Sequence, residues 1–169
     1  MTERDAYYMN RALRLAWRAM EEGDVPVGAV LLAGEEILGE GWNRGRILND
    51  PTAHAEMMAI RIAASRTGNY RLSGATLYVT LEPCFMCFGA MLESRISRLV
   101  FGAREPRRGV LGSLYDLHND PRLYHKIRVV PGLLEEESGG LLQDFFRKKR
   151  EEEPKEPETG VLPSPSQGD

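Results

Sequence analysis

Three things are scarce in these 169 residues: cysteine, lysine and long apolar runs. Only two cysteines occur, Cys84 and Cys87, too few for the disulfide frameworks that staple small secreted domains. No apolar stretch approaches the roughly 18–20 residues that cross a bilayer, and the opening MTERDAYYMNRALR lacks the apolar core of a secretory signal. A cytoplasmic protein that does not enter a membrane is therefore expected. Lysine is outnumbered by arginine 4 to 18, a bias compatible with recognition of phosphate or carboxylate, because guanidinium binds both in bidentate fashion.

What is present is ordinary for a folded domain: 42% hydrophobic and 28% charged residues, with a net charge of −3. The charge is uneven. Residues 1–150 sum to +2 and residues 151–169 to −5. The segment EEEPKEPETGVLPSPSQGD mixes charge with proline and has few large apolar side chains, so the expectation is one domain over 1–150 and a disordered acidic, Pro-rich tail over 151–169.

Apolar spacing predicts a helix over Asp5–Glu22, capped by Thr2 with Asp5 and stopped by Gly23. Val27–Ala33 and Glu36–Trp42 form a hairpin turning at Gly34, and a loop covers Asn43–Asp50. Pro51 suits a first helical position ahead of AHAEMMAIRIAASR. A strand over Ala75–Leu81, a helix opened by Pro83, a strand over Ser97–Gly102, a strand over Lys126–Val130 and a helix over Leu133–Arg150 complete the series. Strand–helix–strand order from Ala75 onward calls for partly parallel pairing, and hence for a three-layer α/β/α sandwich on a mixed sheet.

Two clusters carry chemistry: His54-Ala55-Glu56 and Pro83-Cys84-Phe85-Met86-Cys87. The cysteines, at i and i+3 in a first helical turn, share one face where the positive end of the helix favours thiolates. Taken alone, CxxC after a strand also fits a thioredoxin-like redox pair, His54 a helix cap, and Glu56 a solvated carboxylate. Together they fit a three-ligand zinc site with a fourth position left for water, a chemistry that uses a nearby non-ligand Glu. His54 and Glu56 lie about 200° apart around a regular helix, so both approach one ion only if it sits off the helix tip. Two helix starts aimed at each other, with the metal between, are predicted.

At these residues the sequence resembles the zinc-dependent nucleobase deaminases, with their H-x-E…P-C-x-x-C signature. Beyond the signature, DVPVGA (24–29), DPTAHAEM (50–57), TLEPCFMCFGAM (80–91), VFGAR (100–104), GSL (112–114) and DFFR (144–147) resemble the bacterial tRNA-editing branch. The resemblance implies a cytidine deaminase-like fold with about five strands and zinc held by His54, Cys84 and Cys87. It implies Glu56 as proton shuttle and hydrolytic deamination of adenosine to inosine at the wobble position of a tRNA anticodon. It further implies substrate contacts at Asn43, Ala55, Glu105, Phe145, Phe146 and Arg150, and a homodimer. Glu105 departs from the aspartate that many relatives carry after FGAR, and PRRGVL (106–111) differs in detail. Arg104, Arg107, Arg108 and the run Arg147-Lys148-Lys149-Arg150 are candidate phosphate contacts; a solvated basic helix face is the alternative. His118 and His125 lie outside both clusters and are expected at the surface or on loops. A zinc deaminase of a free base or nucleotide, and a non-catalytic zinc-stabilised RNA-binding module, remain competing functions at this point.

Overall fold

The strands alternate, and both of their faces are apolar. In β1 (Gly28–Ala33), Ala29 and Leu31 join one buried cluster while Val30 and Leu32 join another. The same division recurs in β3 (Thr76–Leu81), with Leu77 and Val79 opposed to Tyr78, and in β4 (Arg98–Ala103), with Leu99 and Phe101 opposed to Val100. Strands buried on both faces need a helical layer on each side. The computed structural model, which describes residues 2–152, has this arrangement.

Five strands run in the order β2-β1-β3-β4-β5, where β2 is Glu36–Trp42 and β5 is Arg128–Val130. Pairing is antiparallel from β2 to β3 and parallel from β3 to β5. On one face lie α3 (Ala55–Thr67) and α4 (Phe85–Glu93), which bury Ala59, Ile60, Phe88 and Met91 against it. The other face carries α1 (Glu3–Glu21) and α5 (Glu135–Glu152), which meet through Leu13, Ala16 and Leu141. Each large buried side chain, such as Phe101, contributes about 1.5–3 kcal/mol through removal from water.

Local chemistry sets the ends of the elements. Thr2 Oγ1 accepts the Asp5 N–H at 3.1 Å and Asp5 Oδ2 accepts the Thr2 N–H at 3.1 Å, the expected capping pair of α1. Asp5 also binds the Arg98 guanidinium at 2.8 Å, which holds its carboxyl well below the usual carboxylate range and ties α1 to β4. α3 begins at Ala55, not Pro51, because the Asp50 carboxylate accepts the Thr52 N–H at 2.8 Å and keeps this stretch in a turn. α5 begins at Glu135 rather than Leu133, since Leu134 sits at φ 53°, outside the helical region. The loop after β2 holds an unforeseen short helix, α2 (Gly45–Leu48), and a 3-10 turn covers Leu117–Asn119. α5 runs two residues past the expected boundary at 150; the rest of the expected tail, 153–169, lies outside the described residues.

Contact between α3 and β2 is unusually close. A Cβ at Gly41 would stand 2.3 Å from the Ala55 carbonyl oxygen, and one at Gly39 would stand 2.2 Å from that of Ala59. Only glycine lets the helix backbone lie directly on the strand, which fixes the start of α3 in space.

Candidate metal centre and active site

Helix starts are normally capped by the side chain of the N-cap residue; at the two starts of this site that side chain is turned elsewhere. His54 is the N-cap residue of α3 and Cys84 that of α4, both in extended conformation, and neither makes a side-chain cap bond. The freed side chains turn towards each other. His54 Nδ1 lies 3.7 Å from Cys84 Sγ and 3.5 Å from Cys87 Sγ. The three donor atoms all fall within 4.8 Å of one another.

These distances test whether zinc fits. A tetrahedron with Zn–N of about 2.0 Å and Zn–S of about 2.3 Å has N···S edges of about 3.5 Å. The observed separations of 3.5 and 3.7 Å lie within about 0.2 Å of that edge, so one imidazole and two free thiols match the ion in number, type and N···S spacing.

Protonation follows from the same contacts. Hydrogen bonding from Cys87, helped by His54, draws the Cys84 thiol down to about 3. The bond to Cys84, together with burial, pushes the Cys87 thiol far up, so the metal-free pair keeps one proton. His54 is raised by its contact with Cys84. Glu56, one residue into α3, is 4% exposed; burial raises its carboxyl above the usual range. It faces the same cavity as His54 and Cys84 without joining the donor trio.

That cavity measures about 560 Å³ and has apolar walls at Val27 and Leu81. Asn43 lines it, and its Oδ1 accepts the Ala55 N–H at 2.9 Å. This bond caps α3 in place of His54 and leaves the Asn43 amide nitrogen as the free end of the side chain. Ala55 has its side chain in the core and its N–H taken by Asn43. Glu105 lines the cavity and also an adjoining one of about 640 Å³, where Arg107, Arg147 and Arg150 gather. Phe146, 46% exposed, lies at the junction of the two. Phe145 lines neither; it is buried in the apolar side of α5. Of the expected site residues, then, the fold gathers His54, Glu56, Cys84, Asn43, Glu105 and Phe146 around one cavity and sets Arg150 next door. Cys87 lies beneath, and Phe145 is apart.

The family model for the cytidine and deoxycytidylate deaminase zinc-binding region matches residues 2–103, both metal clusters included. The chain belongs to this deaminase family. It is similar to the tRNA-specific adenosine deaminase of Haemophilus influenzae, 49% identical over 152 residues and covering 89% of this chain and 88% of that protein. The protein of the same name from Bacillus subtilis is 47% identical over 146 residues, covering 86% and 91%. A solved structure from work on A-to-I editing by tRNA:A34 deaminases at the wobble position of transfer RNA superposes with a TM-score of 0.78. It shares 44% identity and covers 80% of this chain and 99% of that one.

Two further carboxylates of this deaminase escaped the sequence reading. Asp24 and Glu82 are 6% and 2% exposed, and both line the cavity. Asp24 accepts the Arg46 N–H at 2.9 Å and so anchors α2 at the cavity wall. Glu82 accepts the N–H groups of Leu111 at 2.8 Å and Ser113 at 3.1 Å. They fall in the segments DVPVGA and TLEPC, but nothing in those strings marks either acid as buried.

Proposed function

We propose that the protein deaminates adenosine to inosine at the wobble position of a tRNA anticodon, releasing ammonia. One observation carries the reading: a His54–Cys84–Cys87 donor set sized for zinc opens onto the same cavity as a buried Glu56 whose carboxyl is raised above its usual range. The names of the relatives supply the substrate class.

When bound, zinc supplies Lewis-acid activation of the attacking water. The protein's own groups do the rest. Glu56, its carboxyl raised by burial, takes a proton from that water and delivers it to N1 of the purine as oxygen attacks C6. A second transfer, to the departing amino group, releases ammonia and leaves hypoxanthine. Asn43, with its oxygen committed to Ala55, offers N–H donors to a ring acceptor and so orients the base. The target base has to leave its stack to reach the cavity, which costs least in a single-stranded loop. Phe146 at the cavity junction gives a neighbouring base an aromatic face, and Arg107, Arg147 and Arg150 meet the phosphates beyond it.

The protein acts in the cytoplasm, where thiols such as Cys84 and Cys87 stay reduced; among the described residues no helix is long and apolar enough to cross a membrane. It works as a homodimer. The apolar side chains left exposed on α2, α3 and α4 (Ile47, Leu48, Ile62 and Phe85) are the surface a second copy covers.

The test is to incubate the zinc-loaded protein with an anticodon stem-loop bearing adenosine at the wobble position. Inosine and ammonia are expected in equal amounts, with no product from a cytidine-bearing stem-loop or from free adenosine, guanine or cytosine. Turnover of a free base without turnover of the stem-loop would refute the assignment.

A further inference from the structure

Glu82 is more deeply buried than Glu56, yet its partners are backbone and hydroxyl groups rather than a cation. A buried carboxylate is tolerated only when its oxygens are fully hydrogen-bonded. Here all four donors come from one loop. Oε1 accepts the N–H groups of Leu111 and Ser113, and Oε2 accepts the N–H of Glu105 at 3.1 Å and the Ser113 hydroxyl.

The same loop is tied down on either side. The Glu82 N–H donates to the Ala103 carbonyl at 2.8 Å, and the Pro83 carbonyl accepts the Val110 N–H at 3.1 Å. The chain also presses on the carboxylate itself, since a Cβ at Gly109 would stand 2.4 Å from Glu82 Cδ. Two residues after Glu82 comes Cys84. Between the loop's attachment points stand Glu105, Arg107 and Arg108, with Arg104 just before them; all but Arg107 line the active-site cavity. Glu105 in turn accepts the Arg107 N–H at 3.0 Å.

We infer that Glu82 is a positioning residue for the RNA substrate. By holding the 105–113 loop to the turn that leads into Cys84, it fixes the arginine-bearing rim relative to the metal centre. This rests on the reading of the protein as an RNA deaminase. Its consequence is a division of labour: Glu82 governs how well substrate is held and leaves the proton transfers of Glu56 alone.

Glu82→Gln tests this in the full, zinc-loaded chain. A glutamine offers one acceptor oxygen and turns an NH2 towards donors, so it breaks the bonds made by one of the two carboxylate oxygens. Amide exchange at Leu111 and Ser113, or at Glu105, whichever set faces the new NH2, is expected to quicken by about tenfold or more, with α3 and α4 unchanged. Zinc is retained, and KM for the stem-loop rises about tenfold while kcat stays within about twofold, a loss of about 1.4 kcal/mol. Unchanged exchange at those amides, or an unchanged KM with a fall in kcat or zinc content, would overturn the inference. If Glu82→Gln does not fold, Ser113→Ala removes one donor and keeps the carboxylate. A smaller rise in KM and in exchange at Ser113 is then expected, and no change in either overturns it. A wild-type chain that leaves the stem-loop untouched sinks the proposed function instead, and the exchange arm alone then decides whether Glu82 holds the loop.

Discussion

The metal centre and the arginine rim lie side by side and are built on opposite principles. At the centre, His54, Cys84 and Cys87 sit at two helix starts backed by packed core, and Glu56 is buried beside them. At the rim, Arg104, Arg107, Arg108, Arg147 and Arg150 are exposed, on a loop and on the outer part of α5. Proton transfer and metal ligation fail when atoms move by an ångström, so their groups sit where the backbone is over-determined. Attraction to phosphate acts over several ångströms of water and tolerates mobile side chains. Substitutions at the centre should therefore act nearly all-or-none, and those at the rim by degrees.

Cys87→Ala is the most severe way to press that contrast. Bound zinc should fall from one per chain to near zero by metal analysis, with all turnover lost. Glu56→Gln comes next: zinc and RNA binding persist while kcat drops by about 10²–10⁴-fold, the usual size of a general acid–base contribution. Substantial residual turnover would remove Glu56 from its role.

Acid probes the centre more gently. The Cys87 thiol is pushed up, so the metal-free protein holds a proton there that zinc has to displace. Lowering pH favours the protonated, metal-free form. Zinc affinity measured by chelator competition should thus weaken by about tenfold per pH unit while Cys87 alone holds a proton, and more steeply at lower pH where the raised His54 is protonated too. A pH-independent affinity would mean that both thiols are already ionised.

Much of the centre was legible because its signals are local. H-x-E and PCxxC fall at helix starts, and two helix tips facing each other follow from the His54–Glu56 spacing. The strand layers were legible for a similar reason, as short apolar runs bounded by turn residues. Glu82 was not, because its partners are backbone N–H groups 23 to 31 residues downstream, which no side-chain pattern records. Phe145 and Phe146 could not be told apart either. Neighbours on a helix point about 100° apart, and only the packed structure shows that the first faces the core and the second the cavity. The start of α3 was misplaced because a proline suits a turn as well as a helix, and the Asp50–Thr52 bonds settle it as a turn.

Gly41→Ala sharpens the comparison from beneath. Its Cβ would collide with the Ala55 carbonyl, 2.3 Å away, so either α3 or the strand has to shift. Overpacking of this kind destabilises by about 1–3 kcal/mol. A lowered Tm together with loosened zinc binding is expected, and an unaltered Tm would show that α3 is not seated on β2 as described.

The smallest effects belong to the rim. Arg150→Gln should weaken stem-loop binding a few-fold and, if one phosphate contact is lost, flatten the salt dependence by about one unit of log–log slope. Zinc content and kcat should not respond. A large loss that is insensitive to salt would mean that Arg150 serves some other purpose.

X-ray absorption at the zinc edge of the purified protein bears most directly on the whole account. Two sulfur neighbours near about 2.3 Å, with two nitrogen or oxygen neighbours near about 2.0 Å, are predicted for one ion per chain. A spectrum with three or four sulfurs, or a protein that takes up no zinc after reduction, would contradict it.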